Sequence, residues 1–305
     1  MKTKVLSTLA LSALLFVSCS NDNETPEVND GRVKFTSGIT ATPQTKVATD
    51  NAGNSTWNLN DPIGIYMVAN TTTTVAENAA NIPYKATTAA ASTSFAPSGV
   101  TTIYYPVNTP ALVDFIAYHP YSASVADWVY PIDLSTQTPQ TAIDLMYAPA
   151  DNSGAGYDKT SASVNFNFKH QLVKLIINVD MGSGVTGTVS AVSIKGMNTA
   201  ANFDLKGVAG LTNFGTPQAI TPYTATAGAK YEAILLPAAA LSTAHRVTFT
   251  TSAGETFTWP MSSEISSLTA GSIYVYTVTL TKHAVNATGN ITKWNVGTQG
   301  TGIAD

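Results

Sequence analysis

Apolar residues recur at every second position in many short runs of this chain, and no long segment repeats them at helical spacing. The most apolar run is Leu172-Val173-Lys174-Leu175-Ile176-Ile177-Asn178-Val179, with Val173, Leu175, Ile177 and Val179 on one face. A period of two marks a strand with one buried face. Similar runs lie at 63–68, 103–106, 113–121, 143–148, 164–168, 192–194, 203–205, 233–236, 247–251, 257–259 and 273–280, separated by Gly, Pro and Asn. Many short strands split by turns imply an all-β chain built of sandwiches rather than β-α-β units. Asn81-Ile82-Pro83-Tyr84 and Phe95-Ala96-Pro97 read as edge pieces, because proline cannot donate to a ladder. The alanines at 86–91 and 238–240 allow a helical turn or two, no more.

A chain of 305 residues has room for about two domains. The best boundary is Asp151-Asn152-Ser153-Gly154-Ala155-Gly156, which is polar and Gly-rich and divides 32–155 from 156–305. Charged residues make up only 11%, against roughly 25% in ordinary soluble domains. Thr, Ser, Asn and Ala take their place, a mixture that suits β-structure on an extracellular surface. The net charge of −4 supplies no basic footprint for nucleic acid.

Lys2 and Lys4 precede an apolar run at 5–17, which reads as a cleaved export signal too short to span a bilayer. A single cysteine excludes an internal disulfide framework. It sits directly behind the apolar run, in Phe16-Val17-Ser18-Cys19, a placement that resembles a bacterial lipobox. That likeness makes residues 1–18 a lipoprotein signal peptide and Cys19 the acylated first residue of the mature chain. Buried acyl chain contributes about 0.8 kcal/mol per CH₂, so more than one chain anchors stably. Residues 19–31 form a polar tether, and Ser20-Asn21-Asp22-Asn23-Glu24 resembles the acidic tag of surface-exported lipoproteins of Bacteroidetes-type bacteria. Then Val33-Lys34-Phe35-Thr36-Ser37-Gly38-Ile39 alternates, placing Val33, Phe35 and Ile39 on one strand face. Thr45-Lys46-Val47 follows in a loop rich in Thr, Asn, Gly and Asp.

Several segments together resemble the fimbrillin family, the Mfa-like pilin subunits of Bacteroidetes. They include Val33-Lys34-Phe35 behind the tether and Trp57 leading into Asp61-Pro62-Ile63-Gly64-Ile65-Tyr66. Val113-Asp114-Phe115-Ile116-Ala117-Tyr118-His119-Pro120-Tyr121, Asp144-Leu145-Met146-Tyr147-Ala148 and Phe168-Lys169-His170-Gln171-Leu172-Val173-Lys174-Leu175 continue the likeness. Gly271-Ser272-Ile273-Tyr274-Val275-Tyr276 and Ile291-Thr292-Lys293-Trp294-Asn295 carry it to the end. The resemblance implies two tandem transthyretin-like β-sandwiches, exported as an outer-membrane lipoprotein and destined for an extracellular fimbrium. It implies a processing protease of trypsin-like kind that cuts behind the first strand, here between Lys46 and Val47, where the family often has Arg. It also implies partners, the other fimbrial subunits, one of which fills the vacated groove with an extended segment near its C-terminal end.

Losing a core strand leaves unpaired N–H and C=O groups on both flanking strands, and a strand of matching alternation is the strongest relief. In this chain the segment 273–294 offers one. Ile273, Val275 and Thr277 alternate with Tyr274, Tyr276, Val278 and Leu280, so either face can fill pockets. The same residues also read as an ordinary closing strand of the second half.

Other chemistry is weakly signalled. Gly182-Ser183-Gly184-Val185-Thr186-Gly187 fits a dinucleotide fingerprint, but the β-branched residues behind it oppose the helix that motif needs. His119, His170, His245 and His283 stand singly, so no metal site, cofactor or catalytic role is expected. Asp151, Asn152, Ser153 and Asp158 have oxygens for calcium but not the EF-hand spacing. Trp57, Trp128, Trp259 and Trp294 leave open a rival reading, a surface lipoprotein that stacks host or bacterial glycans. A tip or anchor subunit, absent from the shaft, is the other alternative.

Overall fold

The computed structural model of the chain describes residues 30–37, 48–49, 55–108, 111–282, 285–293 and 299–301. Its strands begin with β1 (Phe35–Ser37), β2 (Ala48–Thr49), β3 (Ser55–Thr56), β4 (Pro62–Ala69), β5 (Ile82–Ala86), β6 (Ser94–Pro97), β7 (Val113–His119) and β8 (Val129–Asp133). They continue with β9 (Met146–Ala150), β10 (Val164–Phe166), β11 (Lys169–His170), β12 (Val173–Met181), β13 (Val189–Asn198), β14 (Ala200–Asp204), β15 (Leu211–Thr212) and β16 (Pro217–Ile220). The last are β17 (Tyr223–Thr226), β18 (Lys230–Leu235), β19 (Arg246–Thr251), β20 (Thr256–Pro260), β21 (Ser272–Leu280), β22 (Val285–Lys293) and β23 (Gln299–Thr301). The chain is all-β, as the period of two requires. Among the described residues only one-turn 3-10 segments interrupt the strands, at Gln140–Ala142, Asn152–Gly154 and Met261–Ser263. The alanine runs form no helix: Ala86 ends β5 and Ala238 bridges Leu268.

The first sheet has eight strands in the order β10-β1-β6-β5-β4-β7-β9-β11. Its two outermost strands are separated in sequence only by Asn167 and Phe168, so the sheet must roll round until its ends meet. Ile63, Ile65 and Met67 of β4 and Val113, Phe115 and Ala117 of β7 point into the roll with Phe35, Phe166 and Phe168. The polar stretch 151–156 therefore lies within the connections of this sheet, and strands β10 and β11, which follow it, still belong to the first core.

Two expectations about local pairing change. Strands β5 and β6 are interior rather than edge pieces, lying between β1 and β4. Their prolines are tolerated because a proline carbonyl still accepts; that of Pro83 takes the Ser98 N–H at 2.9 Å. The run at 103–106 is not a ladder strand, since Tyr104 makes only an isolated bridge to Arg32.

The later strands form a sandwich. A six-stranded sheet, β17-β18-β12-β21-β22-β23, faces a four-stranded one, β16-β13-β19-β20. Val173, Leu175, Ile177 and Val179 point into their shared core with Val247, Phe249 and Trp259. Both sheets use one device at close quarters. A Cβ on Gly64 would lie 2.3 Å from the ring of Tyr118, its cross-strand partner, and one on Gly289 would lie 2.1 Å from the ring of Tyr276, likewise its partner. Each glycine leaves room for a tyrosine to lie across the neighbouring strand.

A third cluster joins the two cores. The outer faces of β4 and β7 supply Tyr66, Ile116 and Tyr118, and the small sheet β15-β14-β8 supplies Tyr130, Ile132 and Phe203. Leu172, Ile234 and Leu236, from the sandwich side, complete it.

Candidate functional site: the first strand and its slot

Strand β1 is only three residues long, yet it is bracketed on both sides. It runs antiparallel to β6, pairing Phe35 with Phe95, and parallel to β10, pairing Phe35 with Val164. Its ladder extends past the strand itself. The Val33 N–H donates to Ile103 O (3.1 Å), Tyr105 N–H to Gly31 O (2.9 Å), Val164 N–H to Lys34 O (2.8 Å) and Ser37 N–H to Thr93 O (2.9 Å).

Alternation sends Val33, Phe35 and Ser37 inward, and all three are buried. Phe35 is the centre of an aromatic cluster. Its ring meets Tyr84 edge-on at 5.1 Å and Phe115 at 5.3 Å, and stacks on Phe166 at 5.5 Å. Side chains of this size contribute roughly 1.5–3 kcal/mol each when buried. Burial also pushes the Tyr84 hydroxyl above its ordinary range, while that oxygen accepts the Ile103 N–H at 2.9 Å. Ser37 is the polar end of the slot. Its hydroxyl oxygen accepts the indole N–H of Trp57 and the backbone N–H of Thr93, each at 3.1 Å. The Ser92 hydroxyl donates to Ser37 O.

Ser37 and its partner Trp57 are the site residues that sequence reasoning missed in this role. Ser37 lies on the same period-two face as Val33 and Phe35, so the signal was present. Ile39, Cys19, Lys46 and Val47 lie outside the described residues. Immediately behind Val47, Ala48–Thr49 pairs with Ser55–Thr56 and leads the chain to Trp57.

The candidate donor residues occupy β21, in the middle of the six-stranded sheet between β12 and β22. Ile273, Tyr274, Tyr276, Val278 and Leu280 are buried and Val275 is half-buried, so this strand is committed to its own core. Strands β22 and β23 lie outside it, with β23 at the sheet edge.

The other candidates have structural work. Trp57 and Trp259 are buried, and Trp128 is half-buried and stacked on Tyr66 at 4.1 Å, so these three form no exposed stacking platform. Trp294 is outside the described residues. Asp151 accepts the Ser153 N–H and Asp158 that of Thr160, which closes both turns with the oxygens proposed for calcium. Asp114 accepts from Asn70 Nδ2 (2.9 Å) and Thr71 N (2.7 Å). Asp144 is held against His170 Nδ1 at 2.9 Å.

Among the described residues the chain thus combines a rolled sheet that takes β1 into its interior with a sandwich whose outermost strand is β23. The family model described as fimbrillin-like matches residues 45–294. The chain belongs to the fimbrillin-like family. This fimbrillin-like chain is 37% identical over 313 residues to a Bacteroides uniformis protein named as a fimbrium subunit, Fim1C, with 98% of each covered. It also superposes on the crystal structure of a Bacteroides uniformis protein named as a cell adhesion protein, with TM-score 0.72 and 34% identity, covering 87% of this chain and 99% of that one. A second such protein, from Bacteroides ovatus, shares the fold at TM-score 0.62 and 20% identity, covering 88% and 97%. By family, then, the fimbrillin-like chain is a fimbrial-type subunit of the cell surface.

Proposed function

We propose that this chain is the precursor of a fimbrial subunit, stored as a monomer by its own first strand and polymerised by exchange of that strand. Export as a lipoprotein through Cys19 brings it to the outer membrane. Cleavage between Lys46 and Val47 then separates β1 from the rest, and an extended segment of a neighbouring subunit takes its place. The observation that carries this reading is the position of β1: an interior strand, buried through Val33, Phe35 and Ser37, supplied by the first described residues of the chain. Only eight residues separate the end of β1 from Lys46. Its removal would strip β6 and β10 of their shared partner and turn β6, which ends at Pro97, into an edge. A proline suits an edge strand. Because β21 is committed to its own core, the donor belongs to the part of 273–294 beyond it, or farther on.

The test is the N-terminal residue of the surface form, read by mass spectrometry, in wild type and in Lys46→Ala. Wild type is expected to begin at Val47 and to form filaments. The variant is expected to keep acylated Cys19 and remain monomeric at the membrane. Filaments of normal length from Lys46→Ala would place the cut elsewhere.

A further inference from the structure

The slot is not uniformly apolar, and its polar end restricts what can enter. Trp57 is 1% exposed, and its indole N–H finds its acceptor, Ser37 Oγ, on the very strand that exchange would remove. Thr93, 4% exposed, directs its backbone N–H to the same oxygen. An incoming strand with an apolar residue at that point would fill the space and leave two buried donors unpaired. A buried donor without an acceptor is penalised far more than a made hydrogen bond is rewarded. The outward positions impose no such demand: the Thr36 hydroxyl lies on the part-exposed face, 3.4 Å from Asn165 Oδ1.

We infer that Trp57 and Thr93 read a hydroxyl on the incoming strand, so that the slot accepts an extended segment of another subunit whose alternate inward side chains are aliphatic, aromatic and then Ser or Thr. This rests on the strand-exchange reading above. It adds a register to it. The aromatic pocket made by Tyr84, Phe115 and Phe166 and the Trp57 N–H are fixed in one frame, two residues apart along the occupant. A strand shifted by two residues would bring an apolar side chain under the indole, and one shifted by a single residue would turn its inward face outward.

The experiment uses the full chain with a specific protease site replacing residues 45–47, nicked there with the leading segment still in place. Fluorescent peptides of residues 31–39, as wild type or with Ser37→Ala, are added in excess, and their equilibrium binding is followed by anisotropy. The wild-type peptide is expected to displace the leading segment, and the Ser37→Ala peptide to bind on the order of tenfold more weakly. In a Trp57→Phe chain, which lacks the indole donor, the discrimination should shrink; should that chain fail to fold, the two peptides on the Trp57 chain still decide. Equal binding of both peptides overturns the hydroxyl reading and leaves strand exchange standing. Entry of neither peptide, even under conditions that loosen the nicked strand, overturns strand exchange and this inference with it.

Discussion

His119 shows how one residue can tie stability to pH. It ends β7, is 2% exposed, and its Nδ1 lies 2.7 Å from Pro62 O. A carbonyl only accepts, so Nδ1 must donate and the neutral ring leaves Nε2 bare. That nitrogen is buried with no partner among the described residues. Protonation would put a charge and a second N–H on a fully buried ring, for which the backbone at Thr141 and the carboxylates of Asp61 and Asp144 compensate only in part. Burial accordingly holds the imidazole below its ordinary value, although Asp61 and Asp144 pull the other way. Below an unfolded-state value of about 6.5, the unfolded chain takes up a proton that the folded chain refuses. Stability contributed by a neutral His119 is therefore present above that pH and declines as pH falls through it toward the lowered folded value. Urea unfolding at pH 7.5 and pH 5.5 should show a larger loss for wild type than for His119→Phe. An equal loss in both would mean that His119 is accommodated as a cation.

At the scale of elements, the ladder of β1 makes a prediction that does not depend on side chains. Val164 N–H and Tyr105 N–H have their acceptors, Lys34 O and Gly31 O, on the leading segment. Val113 N–H and Tyr157 N–H, by contrast, exchange bonds with each other's carbonyls away from it. In the intact chain all four amides should be protected from hydrogen exchange. After cleavage and displacement of the leading segment, Val164 and Tyr105 should lose protection by at least tenfold while Val113 and Tyr157 keep theirs. Unchanged exchange at Val164 would show that β1 does not hold the β10 edge. Strand pairing is also where the sequence stopped being informative. Alternation located β4, β7, β12, β19 and β21, because each buries one face and period two is written in the residues themselves. It did not say which strands are neighbours: Phe35 pairs with Val164 across most of the first core, and nothing local encodes that contact. The prolines of β5 and β6 suggested edges because the strand that covers β6 is supplied from elsewhere in the chain. The role of Ser37 is hidden in the sequence for a related reason. Its meaning comes from Trp57 and Thr93, which reach it only after the sheet has rolled.

For the whole molecule, the question is whether the two cores behave as one body. Residues from Gly31 onward form one compact unit, and the third cluster gives it a physical basis. Phe203 of β14 and Tyr130 of β8 are cross-strand partners, and Leu172, Ile234 and Leu236 pack on the same cluster from the sandwich side. Gln137, 4% exposed, adds a hydrogen-bonded link. Its Nε2 donates to Leu134 O (2.8 Å) and Ile234 O (3.1 Å), and its Oε1 accepts the Ile234 N–H (2.8 Å). The carboxamide thus stands in for a peptide group and pairs β18 with a loop that follows β8. Replacing it by Leu keeps the volume but leaves the Ile234 N–H and C=O buried without partners, at about 1–3 kcal/mol each. The wild type should therefore melt in a single transition whose calorimetric and van't Hoff enthalpies agree. Gln137→Leu should melt earlier, with the van't Hoff value falling below the calorimetric one as the cores begin to unfold separately. Two resolved transitions in the wild type would mean that the third cluster does not couple the cores. A subunit filled through its first core and donating from the edge of its second would then transmit load through a joint weaker than either.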